Sequence, residues 1–224
     1  PACIPPDSLP EGALLLTAAN TVTTGRLWLV LAASWLLGLA HLALLPPYEG
    51  FDEIAHHATI QQVAAATELR WPRDGKVSRE VEAYLRAGPS VYPQLAEPLG
   101  GRGHDLHSFF GDAEAQAETR RVLSAAPAPP FAPGVTPNWE LQQHPPLYYL
   151  AMAPIERALA AQPLQTRLLA LRLASWSLAI LGLAVAVVAL ARRGAAAGVP
   201  YAETAALLAA AWPFVMPMAL PEFA

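Results

Sequence analysis

The sequence has one cysteine and few charged residues. Only 14% of its 224 residues are charged, against about 25% in an ordinary soluble domain. Because Cys3 stands alone, an internal disulfide is excluded, and an exported segment would be held by packing alone. The formal net charge is −4, whereas nucleic-acid-binding proteins usually have an excess of basic residues. We therefore expect no nucleic-acid partner. A phosphate-cradling glycine loop and a dinucleotide fingerprint are also missing.

The sequence is rich in apolar residues and in proline. Hydrophobic residues make up 54% of the chain, and there are 23 prolines, with a mean hydropathy of +0.31. This combination is typical of apolar spans that alternate with irregular connections. It predicts an all-α membrane protein: two to three transmembrane helices with a large, mostly helical and irregular extracytoplasmic loop. Because the chain starts at Pro1 rather than at Met, we expect it to be part of a longer polypeptide.

Three apolar runs are candidate membrane spans. A run of about 20 apolar residues is long enough to cross the hydrocarbon core. The competing interpretation of the first run is a cleaved signal peptide, but the apolar region of a signal peptide has only about 7–15 residues. Arg26 before the first run and Arg192 and Arg193 after the second place these ends in the cytoplasm by the positive-inside rule. The predicted segments are a cytoplasmic tail (1–26), a first span (27–45), an extracytoplasmic loop (46–167), a second span (168–193) and a truncated third span (203–224).

Within the predicted loop, apolar residues at helical spacing indicate helices over 52–69 and 147–161. Shorter helical pieces are expected near 81–86 and 112–125. A proline-rich run at 127–134 cannot continue a helix. We therefore expect two amphipathic helices with an irregular segment between them.

The first motif, PPYEGFDEIAHH, covers residues 46–57 directly after the first span. On a helix, Asp52 and His56 share one face, and Glu53 and His57 the next. A carboxylate here is suited to taking a proton from a hydroxyl or to holding a divalent cation. The alternative is a plain helix N-terminus, where acidic residues cap the helix and complement its dipole.

The second motif, NWELQQHPPLYY, covers residues 138–149. His144 precedes two prolines and is therefore held extended, and Tyr148 and Tyr149 add hydroxyls and aromatic faces. The alternative is an interfacial anchor, because Trp and Tyr collect at the level of the lipid headgroups.

Together, PPYEGFDEIAHH after a first span and QHPPLYY before a second resemble the membrane glycosyltransferases of the GT-C class, especially its protein-mannosyltransferase-like members. In that class an Asp or Asp-Glu pair in the first extracytoplasmic loop lies at the active site, and the donor is a polyprenyl-phosphate-linked sugar. The resemblance covers only the two motifs and the order of the spans. Phe51 stands where similar proteins often have proline, which leaves the local turn open.

The resemblance implies residue roles and partners. Asp52 would be the base or a metal-proximal acid, with Glu53 beside it. Candidate substrate-binding residues are His56, His57, Glu140, His144, Tyr148, Tyr149 and Arg172. Arg172, near the outer end of the second span, is expected to reach the headgroups or a lipid phosphate. The implied partners are a lipid-linked sugar donor and membrane lipids, and a divalent metal is a candidate cofactor. The alternative is a non-enzymatic membrane protein whose loop binds a ligand or a partner subunit.

Overall fold

The computed structural model describes residues 11–49, 52–66, 75–90, 95–101, 105–126, 131–138 and 146–197. Within these ranges the chain is mostly helical, with one small antiparallel sheet. The helices are α1 (Glu11–Leu44), α2 (Glu53–Ala65), α3 (Arg79–Ala87), α4 (Leu106–Gly111), α5 (Ala113–Ser124), α6 (Pro146–Ala158) and α7 (Leu164–Ala196), with a 3₁₀ turn at Glu97–Leu99. The strands are β1 (Lys76–Ser78) and β2 (Pro133–Pro137).

Two of these helices are long and apolar enough to cross a membrane. The candidate spans are Gly25–Leu44 in α1, with a mean hydropathy of 2.0, and Leu164–Gly194 in α7, with 2.3. They overlap the predicted spans 27–45 and 168–193. The predicted third span, 203–224, lies outside the described residues. The helices also begin earlier than the predicted spans, at Glu11 and Leu164, because apolar run length says little about where a helix starts.

The chain divides into two compact units, and the first contains Pro1–His41 and Trp176–Ala224. Its described part is a helix pair, with a core of Leu27, Leu31, Ala184 and Val187. The Trp35 indole donates to Ser177 Oγ at 3.3 Å. A Cβ at Gly38 would overlap the Trp176 ring, so this glycine is required for the indole to pack against α1.

The second unit, Leu42–Ser175, contains α2 to α6 and the small sheet. One core cluster gathers Tyr48, Ile54, Val81, Tyr84 and Leu168 with their neighbours. A second joins α2 to α6 and α7 through Ile60, Tyr149, Met152 and Leu171. The expected helices over 52–69 and 147–161 are present as α2 and α6, with shorter bounds, and the pieces near 81–86 and 112–125 are α3 and α5.

The sequence predicted an irregular segment in this part of the chain and did not predict the two-stranded sheet. β2 begins and ends with proline, and proline in strands is confined to edges and ends, so the pattern is not typical of a strand. A buried side chain holds it instead: Glu82 accepts from the backbone N–H groups of Val135 and Thr136, both at 2.7 Å. A Cβ at Gly134 would overlap the Glu82 carboxylate, which explains the glycine.

Candidate functional site

The second acidic residue of the first motif forms a bidentate ion pair with α7. Arg172 Nε lies 2.5 Å from Glu53 Oε1, and Nη2 lies 2.6 Å from Glu53 Oε2. The same guanidinium donates to the carbonyl oxygens of Leu45 and Pro46 at 2.9 and 2.8 Å. Planar bidentate pairs of this kind are strong and directional. Arg172 was expected to reach headgroups; the structure instead shows it fixing the turn that leads from α1 into α2.

That turn has an unusual backbone. Tyr48 and Asp52 have positive φ angles of 61° and 54°, a region that non-glycine residues rarely adopt. The Tyr84 hydroxyl donates to the Pro47 carbonyl at 2.6 Å, and its ring packs edge-on against Tyr48 at 4.9 Å. Strained residues persist only where their surroundings over-determine them, and they cluster at functional sites.

Asp52 occupies the N-cap position of α2 without capping it. The side chain makes no capping hydrogen bond, although its carbonyl accepts from the His56 N–H at 3.0 Å. The side-chain capping function considered for this residue is therefore not present. Asp52 is nearly buried, with 9% of its surface exposed.

Glu49 has chemical features that the sequence did not single out. Burial, followed by the negative charge of Glu53, raises the pKa of the Glu49 carboxyl, and Arg172 opposes the shift. In the described part of the chain, its buried Oε1 has no hydrogen-bond partner. A carboxyl pKa raised by burial and by a like charge is one mark of a candidate functional residue. Its position three residues before Asp52 in the motif was the only signal in the sequence.

The two motifs meet on the face of α2 that carries His56. His56 Nδ1 and the Tyr149 hydroxyl are 2.8 Å apart, and the Tyr148 ring lies edge-on to the imidazole at 6.5 Å. The Tyr148 hydroxyl contacts Ser175 Oγ at 2.8 Å. Tyr149 is buried and Tyr148 is partly exposed, so the pair presents one aromatic group to the surroundings. Glu140 and His144 lie outside the described residues.

His57 points away from this face into a buried polar network. The Tyr48 hydroxyl lies 2.7 Å from His57 Nδ1. Burial and the charge of Glu80 raise the Tyr48 pKa well above 10.0, so the phenol keeps its proton. The other ring nitrogen, His57 Nε2, faces Glu156 Oε2 at 3.5 Å.

Arg167 is the centre of this network. Its guanidinium pairs with Glu156 and with Glu80, and Gln61 Nε2 donates to Glu80 Oε1 at 2.5 Å. Burial raises the pKa of Glu156, but the contact with His57 and the charge of Arg167 outweigh it and lower the pKa from 4.5 to about 2. We call His57, Gln61, Glu80, Glu156 and Arg167 the Arg167 network.

Four members of this network were missed by sequence reasoning: Gln61, Glu80, Glu156 and Arg167. They lie on four different helices, so local spacing carries almost no information about them. One signal was available: Gln61 stands four residues after His57 on α2, and residues at that spacing share a helix face.

A metal site is not formed by the described residues. Among them, no three His, Cys, Asp or Glu side chains converge in a geometry for a cation. Asp52, Glu53, His56 and His57 do not act as one ligand set, because Glu53 is ion-paired with Arg172 and the two imidazoles have different partners. The suggestion of a divalent metal therefore gains no support from these four side chains.

Comparison with protein-family models, with curated proteins and with solved structures found no match.

Proposed function

We propose that this chain is part of a membrane glycosyltransferase of the GT-C type, which moves a sugar from a polyprenyl-phosphate donor to an acceptor outside the cytoplasmic membrane. The supporting observation is the 2.8 Å contact between His56 of the first motif and Tyr149 of the second. The motifs are far apart in sequence, and each alone has a plain structural explanation. Their contact supports one shared site.

The proposed topology rests on the charges that flank the apolar helices. Arg26 lies at the N-terminal end of the apolar part of α1, and Arg192 and Arg193 lie near the C-terminal end of α7. The positive-inside rule assigns these ends to the cytoplasm. The chain between the two spans is then extracytoplasmic, where polyprenyl-phosphate sugars are used without a nucleotide donor.

In the proposed reaction, Asp52 is the general base. Its carboxylate takes the proton of an acceptor hydroxyl as the oxygen attacks the anomeric carbon of the sugar. The bond from that carbon to the phosphate oxygen breaks, polyprenyl phosphate leaves with the bonding electrons, and the configuration inverts. Such proton transfer contributes ~10²–10⁴-fold in rate.

Glu53 has a positioning role in this proposal. Both of its oxygens accept from Arg172, so its charge is balanced and its orientation is fixed. Through Arg172 it fixes the carbonyl groups of Leu45 and Pro46, and thereby the strained turn that places Asp52. The Tyr148 side chain is partly exposed, so its ring is suited to stacking against a sugar ring.

The test is sugar transfer by the full-length protein in membranes supplied with a polyprenyl-phosphate sugar. Asp52→Asn keeps the shape of the side chain and removes its basicity, so transfer should fall ~10²–10⁴-fold at unchanged expression. Glu49→Gln should reduce transfer less, and Glu118→Gln on the exposed face of α5 should leave it unchanged. Full transfer by Asp52→Asn would refute the assignment of the base.

A non-enzymatic membrane protein that binds a ligand through this loop is the second candidate. The ion pairing of Glu53 favours it, because one of the two acids implied as catalytic is held by Arg172. The two candidates differ in one measurement: absence of transfer from every polyprenyl-phosphate sugar, with the wild-type protein folded, would support the second.

A further inference from the structure

The outward face of α6 is apolar, although this helix belongs to the unit between the two candidate spans. Between residues 146 and 154 its exposed positions are Pro146, Leu147, Tyr148, Ala151 and Pro154, and Leu147 has 76% of its surface exposed. The same stretch contains no Asp, Glu, Lys or Arg. Single exposed apolar residues are normal on a protein surface. A whole apolar face is not, because a helix that borders water carries polar residues on its outer side.

Helix α5 of the same unit provides the contrast. Its exposed side chains are mostly charged or polar, and they include Glu114, Arg120, Arg121 and Ser124. This is the usual pattern of a helix that borders water. The outer faces of α5 and α6 therefore indicate different surroundings for the two helices.

The end of the first candidate span has a fixed level along α7. Arg172 donates to the Leu45 carbonyl at 2.9 Å, and Leu45 directly follows that span, Gly25–Leu44. Ser175 lies one turn further into the second candidate span than Arg172 does, which is about 4.5 Å along the helix axis at the ordinary helical rise. Ser175 is therefore deeper in the apolar region than the point at which the first span ends.

The start of α6 lies beside this deeper level. The Tyr148 hydroxyl and Ser175 Oγ are 2.8 Å apart, and Ser175 Oγ also contacts Met152 Sδ at 3.8 Å. Both turns of α6 that carry these side chains are thus held next to the apolar part of α7. Tyrosine at such a level is typical of the membrane interface, where its ring lies among apolar groups and its hydroxyl is hydrogen-bonded.

We propose that the face of α6 formed by Leu147, Ala151 and Pro154 contacts the acyl chains of membrane lipids, so that α6 is inserted into the membrane surface without spanning it. Lipid is favoured over a protein partner, because protein interfaces carry about one hydrogen bond per 100–200 Å² and these three side chains offer none. On the adjoining part of α7, Leu169 and Leu173 are exposed as well. The proposal rests on the two spans crossing a membrane and is independent of glycosyl transfer.

The test is site-directed spin labelling of the full chain in lipid nanodiscs, with Cys3→Ser removing the native thiol. Labels at Ala151→Cys and Ala117→Cys form a matched pair, because both positions are exposed alanines on helices of the same unit. Power saturation compares collisions with oxygen, which concentrates in lipid, and with a water-soluble nickel chelate. We expect the ratio of oxygen to nickel collisions to be several-fold higher for Ala151→Cys than for Ala117→Cys.

Leu173→Cys, at an exposed position of α7, is the lipid control and should behave as Ala151→Cys does. Nickel access at Ala151→Cys equal to that at Ala117→Cys would overturn the proposal, because α6 would then border water. Protection of Ala151→Cys from both reagents, with Leu173→Cys open to oxygen, would overturn it too, because a protein surface would then cover the face. Nickel access at Leu173→Cys would overturn it together with the second span. The sugar-transfer assay plays no part in these outcomes, so a failure of the proposed enzyme activity remains distinguishable.

Discussion

The two compact units of this chain distribute polarity in opposite ways. In the helix pair, large apolar side chains face outward: Leu29, Leu36, Leu181 and Val185 are each at least 60% exposed. In the unit formed by Leu42–Ser175, charged side chains are buried, with Glu82, Glu156 and Arg167 each under 5% exposed. An apolar exterior suits lipid, where no hydrophobic driving force exists between helices.

This contrast shows what holds each unit together. The helix pair combines an apolar core with a close contact between a glycine and an indole. The second unit combines two apolar core clusters with a charged network whose members compensate one another. Removing one residue should therefore harm the second unit through unbalanced charge and the first through shape.

Arg167→Met should have the largest effect. It leaves the buried Glu156 and the partly buried Glu80 beside each other without their counter-charge, and removing one partner of a buried ion pair costs about 3–5 kcal/mol. Thermal unfolding of the protein in detergent should show a Tm lowered by roughly 6 °C or more, since 1 kcal/mol corresponds to ~2–4 °C at this chain length.

Two further variants control this experiment. Arg121→Met breaks an ion pair with Glu118 that is exposed on α5, and it should be indistinguishable from wild type. The triple variant Arg167→Met, Glu80→Gln, Glu156→Gln removes all three charges and should recover much of the lost stability. A wild-type Tm for Arg167→Met alone would contradict the importance of the network.

Gly38→Leu should have the next largest effect and tests the helix pair. The new side chain would overlap the Trp176 ring, and overpacking of this kind costs about 1–3 kcal/mol. Gly25→Leu and Gly182→Leu are matched controls on α1 and α7, because nothing lies within 4 Å of a Cβ at either position. Unfolding measured by tryptophan fluorescence should distinguish them, and a Gly38→Leu protein as stable as these controls would refute the close packing.

The free energy of unfolding measured at acidic pH tests the charge of Glu156. Its pKa is lowered from 4.5 to about 2 because contact with His57 and Arg167 outweighs burial. The ionised form is thus favoured on folding, so its contribution is present above about pH 4.5 and is lost as the pH falls from 4.5 towards 2. Glu156→Gln should be less stable at pH 7 and should lose less stability over that interval. An unchanged acid slope would contradict the assignment.

The sequence predicted the helical character and the two apolar helices because run length and periodicity are local properties. It also identified His56 and Tyr149, which the structure brings together, as parts of two motifs. It did not predict β2, whose Pro133 and Pro137 are poor strand residues and which depends on Glu82 from α3. Nor did it predict the Arg167 network, because four helices must pack before its charges meet.

Substitution of Asp52 should have the smallest effect on stability. It also separates the backbone role of this residue in the turn from its proposed role as a base. Its φ of 54° lies in the left-handed region, where Asn and Asp are several-fold enriched and β-branched residues are outliers. Asn is tolerated in this region as well as Asp and keeps the shape of the side chain, so Asp52→Asn should change the free energy of unfolding less than Asp52→Val does. Asp52→Val should cost about 1–2 kcal/mol, the usual penalty of this region for an L-residue. Chemical denaturation of both variants measures the difference.

If Asp52→Asn is as destabilised as Asp52→Val, the carboxylate itself supports the turn, and a loss of transfer in Asp52→Asn could no longer be assigned to a missing base. If only the valine variant is destabilised, the turn tolerates the amide, and any loss of transfer in Asp52→Asn reports on proton acceptance alone.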